Sequence, residues 1–272
     1  MQKILLVCDG GHFPQGAFDL VKDKYVDESC LLTGIFLSSV QYSGLLRYSI
    51  DVTGGLTTTI MEEEKIMTDR NINLFKSLCE KHGIEYRVHT DMQPDIFPAL
   101  KKETRFADLM LLSSQLFYSN LAEKQPNSYT KTVLHEAECP VLLVPEDYKQ
   151  PAKIVLSYDG SEESVYAIKQ FAYVFPSWCN LEAQLVYVTD KAEEIPDLAD
   201  IEEFASRHFP GLTISRLSFN AKEFFSLWMS GDQDAMLVTG SFSRSGISAL
   251  LKKSFSEEVI ELSGVPVFIA HK

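Results

Sequence analysis

With 272 residues, 45% of them hydrophobic and 23% charged, the chain has the make-up of a soluble globular protein. It has room for one large domain or two of about 130 residues. Its net charge of −13 is shared, with 14 basic against 19 acidic side chains in residues 1–145 and 11 against 19 in the rest, which speaks against binding nucleic acid or an anionic membrane through bulk electrostatics.

Taken in order, Ile4–Cys8 is a continuous apolar run, as a strand buried on both faces requires. Gly16–Lys24 suits a helix and Leu31–Ser38 a second strand. Residues 41–60 carry three glycines and many Ser and Thr, and read as a long loop. Met61–His82 has helical spacing (Ile66, Ile72, Phe75, Leu78, Cys79) and stops at Gly83. Strand Glu85–Thr90, helix Pro94–Lys102, strand Leu109–Ser113, helix Tyr129–Ala137 and strand Val141–Val144 follow.

The pattern then starts again. Strand Ile154–Tyr158, helix Glu162–Phe175, strand Glu182–Val188, helix Asp197–His208, strand Thr213–Phe219, helix Ala221–Trp228, strand Met236–Thr239, helix Phe255–Leu262 and strand Val265–Ala270 complete it. Lys3–Gly10 (KILLVCDG) matches Lys153–Gly160 (KIVLSYDG), and Cys139–Val144 matches Val265–Ala270. The chain is therefore two copies of one unit, 1–145 and 151–272, joined through the polar, proline-bearing segment Pro145–Ala152. Strands alternating with helices through right-handed crossovers describe a doubly wound, five-stranded parallel sheet in each copy.

The five cysteines are scattered singly, without a C-x-x-C pair, which favours buried, reduced thiols and a cytoplasmic setting. The apolar run at the N-terminus is too short for a signal-peptide core, and no stretch approaches the roughly 20 apolar residues that span a bilayer. The six histidines show no metal-ligand spacing. A nucleophile elbow, a Walker lysine loop and a G-x-G-x-x-G turn are all missing.

Chemistry concentrates at the carboxyl ends of strands, where open α/β sheets bind ligands. In the second copy the first strand runs into Asp159-Gly160-Ser161, an aspartate at the switch point followed by a residue suited to an N-cap. The fourth strand ends at Thr239-Gly240, and a glycine there would let a ligand approach the backbone. Ser241, Ser243 and Ser245 could donate hydroxyls, and Arg244 could meet a phosphate. Ser254-Phe255-Ser256-Glu257 reads as a capping box whose free N–H groups favour an anion.

The stretch from Gly240 to Ser254 resembles the nucleotide-binding segment of universal stress protein (UspA-type) domains. That pattern is glycine, two residues, glycine, nine residues, then glycine and Ser or Thr. Here the frame is kept, but Ser243 and Lys253 replace the second and third glycines. The resemblance covers nearly the whole chain as a tandem pair. It implies an adenine-nucleotide α-hydrolase-like fold with strand order 3-2-1-4-5. It also implies ATP or AMP in the second copy, Mg²⁺ accompanying ATP, and contacts from Asp159, Val188, Thr239, Gly240, Ser241, Ser243, Arg244, Lys253, Ser254, Phe255 and Ser256.

Ser243 adds a Cβ where the family backbone passes close to phosphate, whereas Lys253 and Lys252 could neutralise phosphate charge. An altered nucleotide site and the loss of any site are both compatible with these residues. The first copy keeps Asp9-Gly10-Gly11-His12, but it has no glycine between Gly83 and Gly160. It reads as unable to bind nucleotide.

The leading expectation is a non-catalytic regulatory protein of the stress response. The alternative is an interaction scaffold in which both sites have decayed, working through a protein partner. An ATP α–β phosphate hydrolase ranks last, because neither first-strand loop has the S-G-G-x-D-S form that the related enzymes need. The family's habit of pairing through the fifth strand implies that Val141–Val144 and Val265–Ala270 form an internal pseudo-dimer, with homodimerisation a further step.

Overall fold

The computed structural model describes residues 1–9, 11–25, 28–37, 54–90, 96–114, 133–189, 193–218, 231, 234–240 and 264–272. The first half contains β1 (Gln2–Asp9), α1 (Gln15–Lys24), β2 (Cys30–Leu37), α2 (Gly54–His82), β3 (Glu85–His89), α3 (Ile96–Arg105), β4 (Leu109–Ser113) and β5 (Val141–Val144). Residues 133–136, just before β5, are helical too. The second half contains β6 (Lys153–Ser157), α4 (Glu162–Val174), β7 (Glu182–Thr189), α5 (Leu198–His208), β8 (Leu212–Ser218), β9 (Ala235–Gly240) and β10 (Val267–Ala270). A short 3-10 turn at Trp178–Asn180 links α4 to β7.

The strands lie in the order β3-β2-β1-β4-β5-β10-β9-β6-β7-β8. Each half thus has the order 3-2-1-4-5, and its neighbouring strands are parallel. The two five-stranded sheets are fused into one of ten strands. Their junction is antiparallel, with Val267 opposite Leu143, Phe268 opposite Leu142 and Ile269 opposite Val141. Each half covers the edge strand of the other, removing two apolar edges that would otherwise invite association.

Strand alternation divides the core into two layers. On one face Ile4, Leu6, Cys8, Leu142, Ile154, Leu156, Met236 and Phe268 pack under α1, α2, α4 and α5, and this layer runs unbroken through both halves. The other face carries Leu5, Val7, Met110, Leu143, Val155, Leu237 and Ile269, with Leu100 of α3 and Val133, Leu134 and Ala137 against it in the first half. All five cysteines are free and buried within these layers.

One expectation needs correcting. Residues 54–60 are helical and extend α2 back to Gly54, whereas the sequence there reads as loop. Two glycines and three threonines are poor helix formers taken alone, but adding a turn to an existing helix escapes the cost of nucleation. The segment that anchors α2 is its C-terminal part. Phe75 is fully buried and meets Phe36 and Tyr86 edge-on, with ring centres 5.8 and 5.7 Å apart.

The expected helices at 221–228 and 255–262 and the first part of 129–137 lie outside the described residues. No helix among the described residues is long and apolar enough to cross a membrane.

Candidate functional site

In each half the crossovers leave in opposite directions from the first and fourth strands, which puts a switch point between them. In the second half these strands are β6 and β9, paired in parallel with Leu156 beside Val238. Asp159 and Gly240 therefore emerge side by side at the carboxyl edge of the sheet. This is the crevice in which open α/β sheets place ligands.

Asp159 is half-buried, and its Oδ1 accepts from the backbone N of Ser161 at 2.9 Å and from Ser161 Oγ at 2.5 Å. Oδ2 makes no hydrogen bond to a described residue. Ser161 is the N-cap of α4, with extended backbone and Oγ accepting from the N of Ser164 at 3.2 Å. Such a cap is worth about 1 kcal/mol. The turn therefore holds Asp159 in place by one carboxylate oxygen.

The wall beside Asp159 is one that periodicity alone could not indicate. Tyr158 is buried, donates its backbone N–H to the carbonyl of Val186 at 3.0 Å, and donates its hydroxyl to the carbonyl of Pro196 at 2.9 Å. Burial, then the charges of Asp197, Asp159 and Asp200, raise the Tyr158 phenol above its ordinary 10.0. Asp197, which follows Pro196, holds a left-handed φ of 46°, the one positive φ outside glycine among the described residues.

Gly240 has a packing reason of its own. A Cβ built there would lie 2.7 Å from the carbonyl carbon and 2.8 Å from the carbonyl oxygen of Glu163, so β9 presses directly on the first turn of α4. Thr239 and Val188 are both buried, on the strands flanking β6. Val188 pairs with Leu217, and its side chain is buried in the core layer of Leu5, Val7 and Leu237.

Asp159, Val188, Thr239 and Gly240 are thus gathered on neighbouring strand ends. Ser241, Ser243, Arg244, Lys253, Ser254, Phe255 and Ser256 lie outside the described residues. Among the described residues no cluster of His, Cys, Asp or Glu could hold a metal ion.

In the first half the register pairs Ile4 with Leu109 as Ile154 pairs with Met236 in the second, which sets Ser113 at the place of Gly240. The Oγ of Ser113 donates to Glu146 Oε1 at 2.7 Å, and His12 Nε2 stands 3.0 Å from the same oxygen. The sequence offered no sign of this cluster, because it joins segments 33 residues apart or more.

No protein-family model matches the sequence, and no curated protein sequence matches it. Solved structures do. A universal stress protein from Archaeoglobus fulgidus superposes with a TM-score of 0.69 at 18% identity, spanning 100% of this chain and 96% of that one.

The chain has the universal stress protein fold.

A Pseudomonas aeruginosa protein provisionally assigned to the same family gives a TM-score of 0.58 at 15% identity over 100% of this chain and 93% of its own. A functionally unknown protein from the same species gives 0.53 at 16% identity over 100% and 92%. The full-length match to the archaeal chain means that the likeness takes in both halves of the tandem universal stress protein fold.

Proposed function

We propose that the second half of the chain is an adenine-nucleotide sensor and that the protein is a non-catalytic regulator of the stress response. The observation that carries this reading is the convergence of Asp159 and Gly240 on one switch point, with Asp159 Oδ2 making no bond to a described residue. A carboxylate oxygen in that place accepts from a ribose hydroxyl or an exocyclic amine. On this reading the phosphates of ATP or AMP, with Mg²⁺ in the case of ATP, fall to residues 241–256, in whose sequence Arg244 and Lys253 are the charged donors. Binding without turnover is the function that this reading assigns.

The test is calorimetric titration of the whole chain with ATP, AMP and Mg²⁺, set against Asp159→Asn. Asparagine keeps the oxygen that receives Ser161 but turns the other atom into a donor, so the fold persists while the ligand acceptor is lost. Saturable binding at one site per chain, weakened by about tenfold in the variant, is the expected result. No heat at millimolar nucleotide would favour the second reading, an interaction scaffold. That reading draws its support from Ser243 and Lys253 standing where the family pattern has glycine. The partner would then be another protein, and a further copy of the chain is one candidate.

A further inference from the structure

The first half has a switch point too, between β1 and β4, and it is filled. The chain leaves β5 through Pro145 and Glu146, and both dock on the start of α1. Gly16 makes this possible, since a Cβ there would lie 2.0 Å from the carbonyl oxygen of Pro145. Glu146 then turns its carboxylate inward, leaving its side chain 18% exposed. Oε1 takes the Ser113 hydroxyl at 2.7 Å and faces His12 Nε2 at 3.0 Å, while Oε2 receives the backbone N of Gly16 at 3.4 Å.

α1 lacks what α4 has. Its N-cap is Pro14, which makes no side-chain cap, and its first turn has no acidic residue, whereas α4 has Ser161, Glu162 and Glu163. The negative charge that a helix start favours is brought to α1 from 130 residues away in sequence. Three donors from two segments far apart in the chain, residues 12–16 and Ser113, converge on one carboxylate, at the register position where the second half has Gly240.

We propose that Glu146 is a tethered occupant of the first switch point and holds it shut against free oxyanions of the carboxylate or phosphate class. The group that fills the crevice is covalently part of the chain, so it competes at high effective concentration with anything in solution. The contact is autoinhibitory in form: Ser113, His12 and Gly16 are an oxyanion site whose ligand is built in. It is independent of the nucleotide reading for the second half.

Inorganic phosphate is the probe, added to the full-length ¹⁵N-labelled chain while the amides of Gly16 and Ser113 are followed by NMR. In the wild type neither amide should show a saturable shift. In Glu146→Ala both should, and Glu146→Gln, which still accepts from Ser113 but carries no charge, should fall between. Because both reporter amides belong to the first half, the result does not depend on whether nucleotide binds the second. Saturable shifts in the wild type equal to those of the alanine variant would show that Glu146 closes nothing. A well-dispersed, folded spectrum of either variant with no phosphate response would show that the carboxylate only caps α1. Both results would overturn the proposal.

Discussion

Gly240, the last residue of β9, sits directly against the backbone of Glu163 in the first turn of α4, with no room between them for a methyl group. The contact ties the helix start capped by Ser161, just after Asp159, to the end of β9. It makes glycine a packing requirement at this point whatever the ligand.

Replacing Gly240 by alanine should therefore destabilise the protein in the absence of any nucleotide. The clash is with backbone, which cannot rotate away as a side-chain tip can. A loss of about 1–3 kcal/mol is expected for overpacking of this kind. Urea unfolding of the ligand-free chain measures it, and an unchanged midpoint would mean that β9 and α4 part without resistance.

Acid should weaken the seam between the halves. His271 follows β10, and burial, then the charge of His135, hold its imidazole below the ordinary 6.5. A backbone hydrogen bond with His135 and the Glu136 carboxylate pull the other way without reversing the shift. The unfolded chain then binds its proton at higher pH than the folded one. The stability contribution is fully present above 6.5 and is lost as pH falls through the lowered folded value. Urea midpoints at about pH 7.5 and about pH 5 should drop further for the wild type than for His271→Gln. Equal drops would remove His271 from the account.

The two halves should stay together without the covalent linker. Lys149 and Gln150 are exposed and lie beyond the Glu146 contact. β5 and β10 remain paired, and Gln2 of the first half donates through Nε2 to the carbonyl of Val174 in the second at 3.0 Å. A chain cleaved after Lys149 at an introduced protease site should elute from size exclusion as one particle. Two separate peaks under native conditions would show that the linker, and not the sheet, holds the molecule together.

Most of the fold was readable because its signals are local. Apolar runs such as Ile4–Cys8 and Ile154–Leu156 can only be strands covered on both faces, and the repeat of Lys3–Gly10 at Lys153–Gly160 announces two copies. That β5 and β10 pair was expected from the family's habit; their antiparallel direction, seen in the ladder of Val267, Phe268 and Ile269, was not part of that expectation. Residues 54–60 were misread because propensity is local while helix growth is cooperative.

The site was legible only in part. Asp159 and Gly240 stand out as residue types at strand ends, but the press of Gly240 on Glu163 involves residues far apart in the chain and leaves no local signature. Glu146 looked like one acidic residue in a polar connector. Its meaning depends on Ser113 and Gly16, which only the folded sheet brings to it.

The antiparallel junction has a geometric consequence. Turning one half around relative to the other points their carboxyl edges towards opposite rims of the sheet, so the Asp159 crevice opens on one side of the molecule and the Glu146 latch on the other. The Asp159 and Glu146 carboxylates thus stand at opposite rims, out of reach of each other. Any message between them would have to travel along the strands themselves, through the rungs that join Leu142 to Phe268.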